Sequence, residues 1–184
     1  MAVPVTWKGV VAEYDKCAED TRDYLEHFPS LTKSYPWDVV ITYLFGRVEL
    51  AQNMTIYCGC VKCHRVDTEL AKIAVNNQHM TREGFKSLFK SIFGKPIPKE
   101  ISTKLDLAED IRDKILHGKS VTEADKRKAA LDLIHYAEMF NNKMQEIAGF
   151  RPFGSLQGFK GRGQSLDKST SRWVLKGIGF SEFQ

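Results

Sequence analysis

Apolar residues recur along most of the chain at spacings of three and four, which is the period of a helix with one buried face. Before residue 150 no pair of segments shows the alternating pattern of paired strands. The pattern predicts helices over 6–28, from about Trp37 to Val66, over 68–76, from a Thr81 cap to Gly94, over 101–118, from a Thr122 cap to Gly149, and over 167–176. We therefore predict an all-α fold, an antiparallel bundle of about five helices, with an ordered Gly- and Phe-rich C-terminal arm.

Short polar signals mark where these helices begin and end. Thr6 is a predicted N-cap, and the pairs Thr103/Asp106 and Thr122/Asp125 have the spacing of capping boxes. Gly118 stands where a helix commonly ends in a left-handed residue. The segment HFPSLTKSYPWD contains two prolines and is predicted to connect two helices.

The helix predicted over 101–118 carries the candidate chemistry. Its buried face is predicted to consist of Leu105, Ala108, Ile111 and Ile115. Arg112 is followed by Asp113 and, after three more residues, by His117. Asp113 and His117 are four residues apart and share a face, so a guanidinium, a carboxylate and an imidazole meet at one helix end. This cluster suits a phosphodiester, with Arg112 binding phosphoryl oxygens, His117 transferring a proton and Asp113 orienting the imidazole.

An arginine, four residues and a histidine, with a polar residue after the arginine, resembles the motif of the HEPN superfamily. The resemblance covers roughly 35–149 and places the motif in the penultimate long helix. It implies a helical bundle that dimerises and brings two motifs into one cleft. Many members are endoribonucleases of toxin–antitoxin and defence systems that need no metal and no cofactor, and others are inactive modules that bind nucleotides or proteins.

Length and charge set the limits of the prediction. A chain of 184 residues is one domain by the usual expectation, and it contains no apolar run long enough to cross a membrane. The N-terminus lacks a secretion signal, so we expect a cytoplasmic protein. The net charge is +4, and all of the excess lies from Gly149 onward, where six Lys or Arg face two acidic residues.

The sequence is predicted to divide into a HEPN-like bundle over 1–149 and a basic aromatic arm over 150–184. Aromatic residues are rare in disordered segments, so the arm is expected to pack on the bundle through its phenylalanines. Its cations would then be available to RNA. The predicted RNA-binding residues are Lys114, Lys119, Lys160, Arg162 and Arg172. The glycine-rich stretch 158–165 lacks the Gly-Lys-Ser/Thr ending of a phosphate-binding loop.

Two further groups of residues have no assigned role. Cys58, Cys60 and Cys63 lie close together, but structural zinc sites draw ligands from two separate segments and no second pair exists. We therefore predict no metal, and interpret Cys60 and Cys63 as small buried residues of a helix. Three polar residues interrupt the apolar second helix, and they either line a cleft or face solvent: Arg47, Gln52 and Asn53.

Three functions remain open at this point. The first is a dimeric HEPN-type endoribonuclease, restrained by an antitoxin or another regulatory protein. The second is a non-catalytic module that dimerises or binds a partner, in which Arg112 and Asp113 form a surface pair and His117 interacts with the helix dipole. The third is a basic regulator that binds nucleic acid through its arm, with strong salt dependence.

Overall fold

A computed structural model describes residues 3–156 and 163–180. Within these ranges the chain is all-α, as predicted, and forms nine helices and no strand. The helices are α1 (Trp7–Tyr14), α2 (Glu19–Tyr24), α3 (Phe28–Ser34), α4 (Trp37–His64), α5 (Thr68–Asn77), α6 (Arg82–Phe93), α7 (Lys99–Leu116), α8 (Glu123–Ala148) and α9 (Lys168–Ile178). Each of these helices is too short or too polar to span a lipid bilayer.

Most of the predicted helix ends are confirmed. The Thr6 and Thr81 side chains accept hydrogen bonds from the backbone N–H of Gly9 and Gly84. Thr122 forms its box with Asp125: its hydroxyl accepts from the Asp125 N–H at 3.1 Å and donates to the carboxylate at 2.7 Å. These bonds join residues three apart in sequence, which is why a short pattern predicts them.

The single helix predicted over 6–28 is wrong, because this segment forms α1, α2 and the start of α3. Helix α1 ends at Asp15, and α2 begins after Ala18. The methyl side chain of Ala18 cannot accept the hydrogen bond of an N-cap. Glu138 of α8 supplies the cap: its Oε2 accepts from the Ala18 N–H at 3.2 Å and from the Thr21 hydroxyl at 2.8 Å. A side chain 120 residues away therefore stabilises the break.

Two further boundaries differ from the prediction. The segment expected to connect the first two long helices contains α3, and Pro29 lies in the first turn of this helix. Proline fits there because the first helical N–H groups need no partner within the helix. The motif helix begins at Lys99 after Pro98, not at Thr103, whose hydroxyl donates to the Lys99 carbonyl within the helix.

The described residues group into two compact units. The first unit comprises 3–49, 98–143 and 153–155, and the second comprises 50–97, 144–152, 156 and 163–180. The division at residue 149 between a bundle and an arm stays a prediction. Both units contain buried phenylalanines of the C-terminal segment, as expected for packing residues: Phe150, Phe153 and Phe180.

The first unit is centred on an aromatic cluster in which Phe153 is fully buried. Its ring meets those of Tyr24, Tyr136 and Phe140 edge-on, with centroids 5.5–6.4 Å apart. Asn141 holds the Phe153 backbone: Oδ1 accepts from its N–H at 2.8 Å and Nδ2 donates to its carbonyl at 2.8 Å. The amide therefore fixes a segment without regular structure against the helices.

Alanine substitutions at the two glycines of α4 are expected to change the stability of the protein in opposite directions. A Cβ on Gly46 would meet nothing within 4 Å, whereas one on Gly59 would lie 2.5 Å from Ile92 and 2.7 Å from Phe93. We expect Gly46→Ala to raise the free energy of unfolding by about 1 kcal/mol, through helix propensity. We expect Gly59→Ala to lower it by about 1–3 kcal/mol, since the side chains of Ile92 and Phe93 must move. Urea denaturation measures both, and two changes of the same sign would contradict this packing.

Candidate functional site

The C-terminal end of α7 holds the predicted motif in a defined backbone geometry. His117 is the C-cap residue, and Gly118 follows it with φ +65°. The Gly118 N–H donates to the Ile115 carbonyl at 3.0 Å, and the Lys119 N–H donates to the Lys114 carbonyl at 2.8 Å. This pair of bonds is a Schellman motif, which confirms the predicted role of Gly118 and fixes the position of the His117 backbone.

The Arg112 side chain lies against α4 within the first unit. Its guanidinium carbon is 4.5 Å from the centre of the Phe45 ring, a cation–π contact. Asp113 Oδ1 accepts from Arg112 Nε and Nη2 at 3.3 and 3.2 Å, and Glu49 Oε1 lies 3.7 Å from Nη1. The Arg112 side chain is 28% exposed, so the planar cation is held in place while part of it remains open to solvent.

The pairing expected between Asp113 and His117 is not formed. The Asp113 carboxylate contacts Arg112 instead, and this pair contributes little to stability because both groups reach water. His117 is exposed, and among the described residues its imidazole makes no hydrogen bond or ion pair. The structure therefore brings Arg112 and Asp113 together and leaves His117 accessible at the same helix end.

Apolar side chains next to the motif are also exposed. Leu105 and Ala108 of the predicted stripe are buried, but Ile111 and Ile115 are only half-buried. Leu116 lies one turn after Arg112 and is 69% exposed. The end of α7 thus presents apolar surface beside the guanidinium and the imidazole.

The predicted RNA-binding residues fall into three places. Lys114 and Lys119 are exposed at the end of α7, next to His117. Arg172 is exposed on α9, in the second unit. Lys160 and Arg162, like most of the glycine-rich stretch 158–165, lie outside the described residues.

A second charged cluster of the first unit was not predicted. Asp132 is 4% exposed and receives Lys104 Nζ at 2.8 Å and Lys128 Nζ at 2.7 Å. Burial and the nearby Lys104 ammonium lower the pKa of His135, which is half-buried beside them. The sequence did contain a signal for part of this cluster, because Lys128 and Asp132 are four residues apart on one helix and such a pair can form a salt bridge. Since both lysines neutralise the carboxylate, we interpret this cluster as a connection between α7 and α8.

The cysteine cluster is mostly buried. Cys58 and Cys60 are fully buried, and burial raises the pKa of both thiols to about 12. The interpretation of Cys63 as a buried residue is wrong, because its side chain is exposed near the end of α4. Within the described part of the chain, no three His, Cys, Asp or Glu side chains are placed to hold a metal ion.

The polar residues of α4 have separate environments. Arg47 stacks on the Tyr24 ring, with 3.9 Å between its guanidinium carbon and the ring centre, and donates twice to the Tyr24 carbonyl. It therefore ties α2 to α4. Asn53 lines a groove of about 350 Å³ in the second unit, beside Tyr57, Val75 and Asn76.

No protein-family model, curated protein or solved structure matches this chain. The resemblance to the HEPN superfamily therefore stays a prediction that depends on the motif and its position.

Proposed function

We propose that the protein is a HEPN-type endoribonuclease that cleaves RNA with the groups at the end of α7. The observation that carries this proposal is the exposed His117 imidazole on the same helix end as the partly exposed Arg112 guanidinium. A proton-transfer group and a planar cation are the two components that phosphodiester cleavage requires. A toxin–antitoxin or defence system, with a protein that restrains the nuclease, is the proposed setting.

The proposed reaction is an internal transesterification. The ribose 2′-oxygen attacks the adjacent phosphorus while a base takes its proton, and the bond from phosphorus to the 5′-oxygen breaks. An acid gives a proton to the leaving 5′-oxygen, so the products are a 2′,3′-cyclic phosphate and a 5′-hydroxyl. His117 is the proposed acid or base. Arg112 would bind the phosphoryl oxygens with two parallel N–H groups.

Asp113 has a different part in this proposal from the one that the sequence indicated. Its carboxylate holds the guanidinium from the side, and the Phe45 ring supports it from below. These contacts restrict the Arg112 rotamer before RNA arrives, which lowers the entropy cost of binding phosphate. The Asp113 and Glu49 pairs reach water and are weak, so a phosphate can compete for the guanidinium.

A symmetric dimer would complete the site. One imidazole does not serve as acid and base at the same moment, whereas two copies of α7 in one cleft would supply both. The exposed Leu116 and the half-buried Ile111 and Ile115 support docking of a second chain at this position. The two-fold arrangement fits the isologous interfaces of most homodimers.

The test is RNA cleavage by the purified protein in EDTA, with analysis of the product ends. We expect 2′,3′-cyclic phosphate and 5′-hydroxyl ends, and no cleavage of a 2′-O-methyl substrate because it lacks the nucleophile. Because a shared cleft would need both imidazoles, mixing wild-type protein with an excess of His117→Ala protein is expected to lower the activity below that of the wild-type protein alone. Products with a 5′-phosphate, or cleavage of the 2′-O-methyl substrate, would contradict the mechanism.

A non-catalytic docking module is the second candidate. It is favoured by the apolar surface around Leu116, together with the Arg112 guanidinium already paired to two carboxylates. This function predicts dimers or partner complexes that tolerate His117→Ala but dissociate on Leu116→Asp. It also predicts no cleavage at any protein concentration, which separates it from the nuclease.

A further inference from the structure

The C-terminal helix α9 separates a small buried face from a wide exposed one. Ser171, Leu175 and Ile178 are buried against the second unit. Two polar contacts secure the start of the helix: Asp167 caps it, and the Ser171 hydroxyl accepts from the Asp67 N–H at 3.0 Å. The remaining residues of α9 are exposed except for the half-buried Val174, and none of them is acidic. Helix α9 is therefore a fixed element with a defined outward surface.

The exposed face carries a tryptophan that packing does not explain. Trp173 is 79% exposed, more than any other aromatic side chain among the described residues. The residues one turn before and after it on the same face are Ser169 and Gly177, and a Cβ on Gly177 would meet nothing within 4 Å. These two small neighbours do not cover the indole, which is largely exposed.

A row of cations adjoins this indole. Lys168, Arg172 and Lys176 follow one another at intervals of four, so they form one stripe along the helix. Lys168 Nζ lies 3.4 Å from Glu69 Oε2, and both side chains are more than 60% exposed. Such an ion pair is weak in water and does not remove the positive field of the stripe.

We propose that this face of α9 binds single-stranded RNA, with a base stacked on Trp173 and the backbone phosphates along Lys168, Arg172 and Lys176. An open aromatic face beside a cationic track is the arrangement by which proteins bind single strands of any sequence. An apolar protein partner would bury the indole but has no use for three cations. The inference deepens the proposed function, on which it rests, by naming a surface that holds the RNA substrate.

The first experiment measures binding without cleavage. A short fluorescein-labelled 2′-O-methyl oligouridylate is titrated with protein, and its anisotropy is followed, so that a failure to bind is distinct from a failure to cleave. We expect Trp173→Ala to raise the dissociation constant about tenfold, which is the effect of losing one stacked base. Trp173→Phe should keep most of the affinity, whereas Trp173→Leu, which is apolar but not planar, should bind as weakly as the alanine variant.

The outcomes are decisive because Trp173 is exposed and its replacement should leave the unfolding midpoint unchanged. Wild-type affinity in Trp173→Ala would overturn the proposal. Wild-type affinity in Trp173→Leu would overturn base stacking and show a simple apolar contact. Binding to anionic phospholipid vesicles in place of the oligonucleotide would show that the face serves a membrane instead.

The second experiment tests the cations through the salt dependence of binding. Each phosphate contact with a single strand contributes about 0.7 to the slope of log K against log salt. Replacing Lys168, Arg172 and Lys176 together by glutamine should therefore reduce the slope by up to about 2. The matched control replaces three exposed lysines of other elements, Lys33, Lys95 and Lys99, by glutamine. An equal reduction in both triple variants would show that general charge, not this face, attracts the RNA.

Discussion

Replacing His117 with alanine is expected to lower the rate of RNA cleavage by about 100-fold or more. Proton transfer by a positioned side chain contributes roughly 10²–10⁴ to a reaction rate, and His117 is the imidazole that we assign to this role. Because the side chain is exposed and unpaired among the described residues, its removal should not change the free energy of unfolding. Single-turnover cleavage of a labelled RNA measures the rate, and thermal denaturation verifies the fold.

The matched control is His79→Ala, which removes another exposed histidine and should leave the rate unchanged. Arg112→Lys is informative beside it, since lysine keeps the charge but lacks the planar fork that matches two phosphoryl oxygens. We expect it to lose most of the activity while retaining cooperative unfolding. Cleavage at wild-type rate in both His117→Ala and Arg112→Ala would remove the catalytic assignment and favour the docking module.

The helices that the sequence predicted well are those whose ends depend on neighbouring residues. Thr81 at the start of α6 and Gly94 at its end make bonds three or four residues away, and both are where the pattern indicated. The start of α9 follows the same rule, since Asp167 accepts from Thr170. Such bonds form within a single turn, so a local pattern contains all the information needed.

The break between α1 and α2 depends on distant residues, and the periodic pattern over 6–28 continued through it. The Glu138 carboxylate, 120 residues further along the sequence, stabilises the new helix start at Ala18. The same limit applies to Asp113, since the sequence placed it one turn from His117 and next to Arg112, and left open which of the two it would pair with. Competition between partners is decided by three-dimensional packing, which spacing alone does not show.

Trp173 was missed although its signal was present. The spacing of Ser171, Leu175 and Ile178 defines a buried face for a helix starting at Asp167, and Trp173 lies opposite that face. The prediction assigned the phenylalanines of the arm to packing and its lysines and arginines to RNA, and it gave Trp173 no role. Phe150, Phe153 and Phe180 are buried, whereas the tryptophan is exposed.

Replacing Asn141 with leucine is expected to lower the free energy of unfolding by about 3 kcal/mol. The two side chains have similar volumes, so the change removes hydrogen bonds without opening a large cavity. Leucine would leave the buried Phe153 N–H and carbonyl without the Asn141 amide, and each buried polar group that loses its partner costs about 1–3 kcal/mol. For a chain of this size the midpoint of thermal denaturation should fall by roughly 6–12 °C.

Asn142→Leu is the matched control, because the same change is made one residue later at an exposed position of α8. Asn142 Nδ2 donates to Glu138 Oε1, but this bond is exposed and 3.4 Å long, so the effect should stay within about 0.5 kcal/mol. The third bond of Asn141, from Nδ2 to the Thr21 hydroxyl at 3.0 Å, links Phe153 to the residues that Glu138 caps. Asn141→Leu should therefore also destabilise α2. Hydrogen exchange of the Arg22 and Leu25 amides is expected to be faster than in the wild-type protein. Equal stability of the two leucine variants would mean that the Phe153 segment is held by its ring contacts alone.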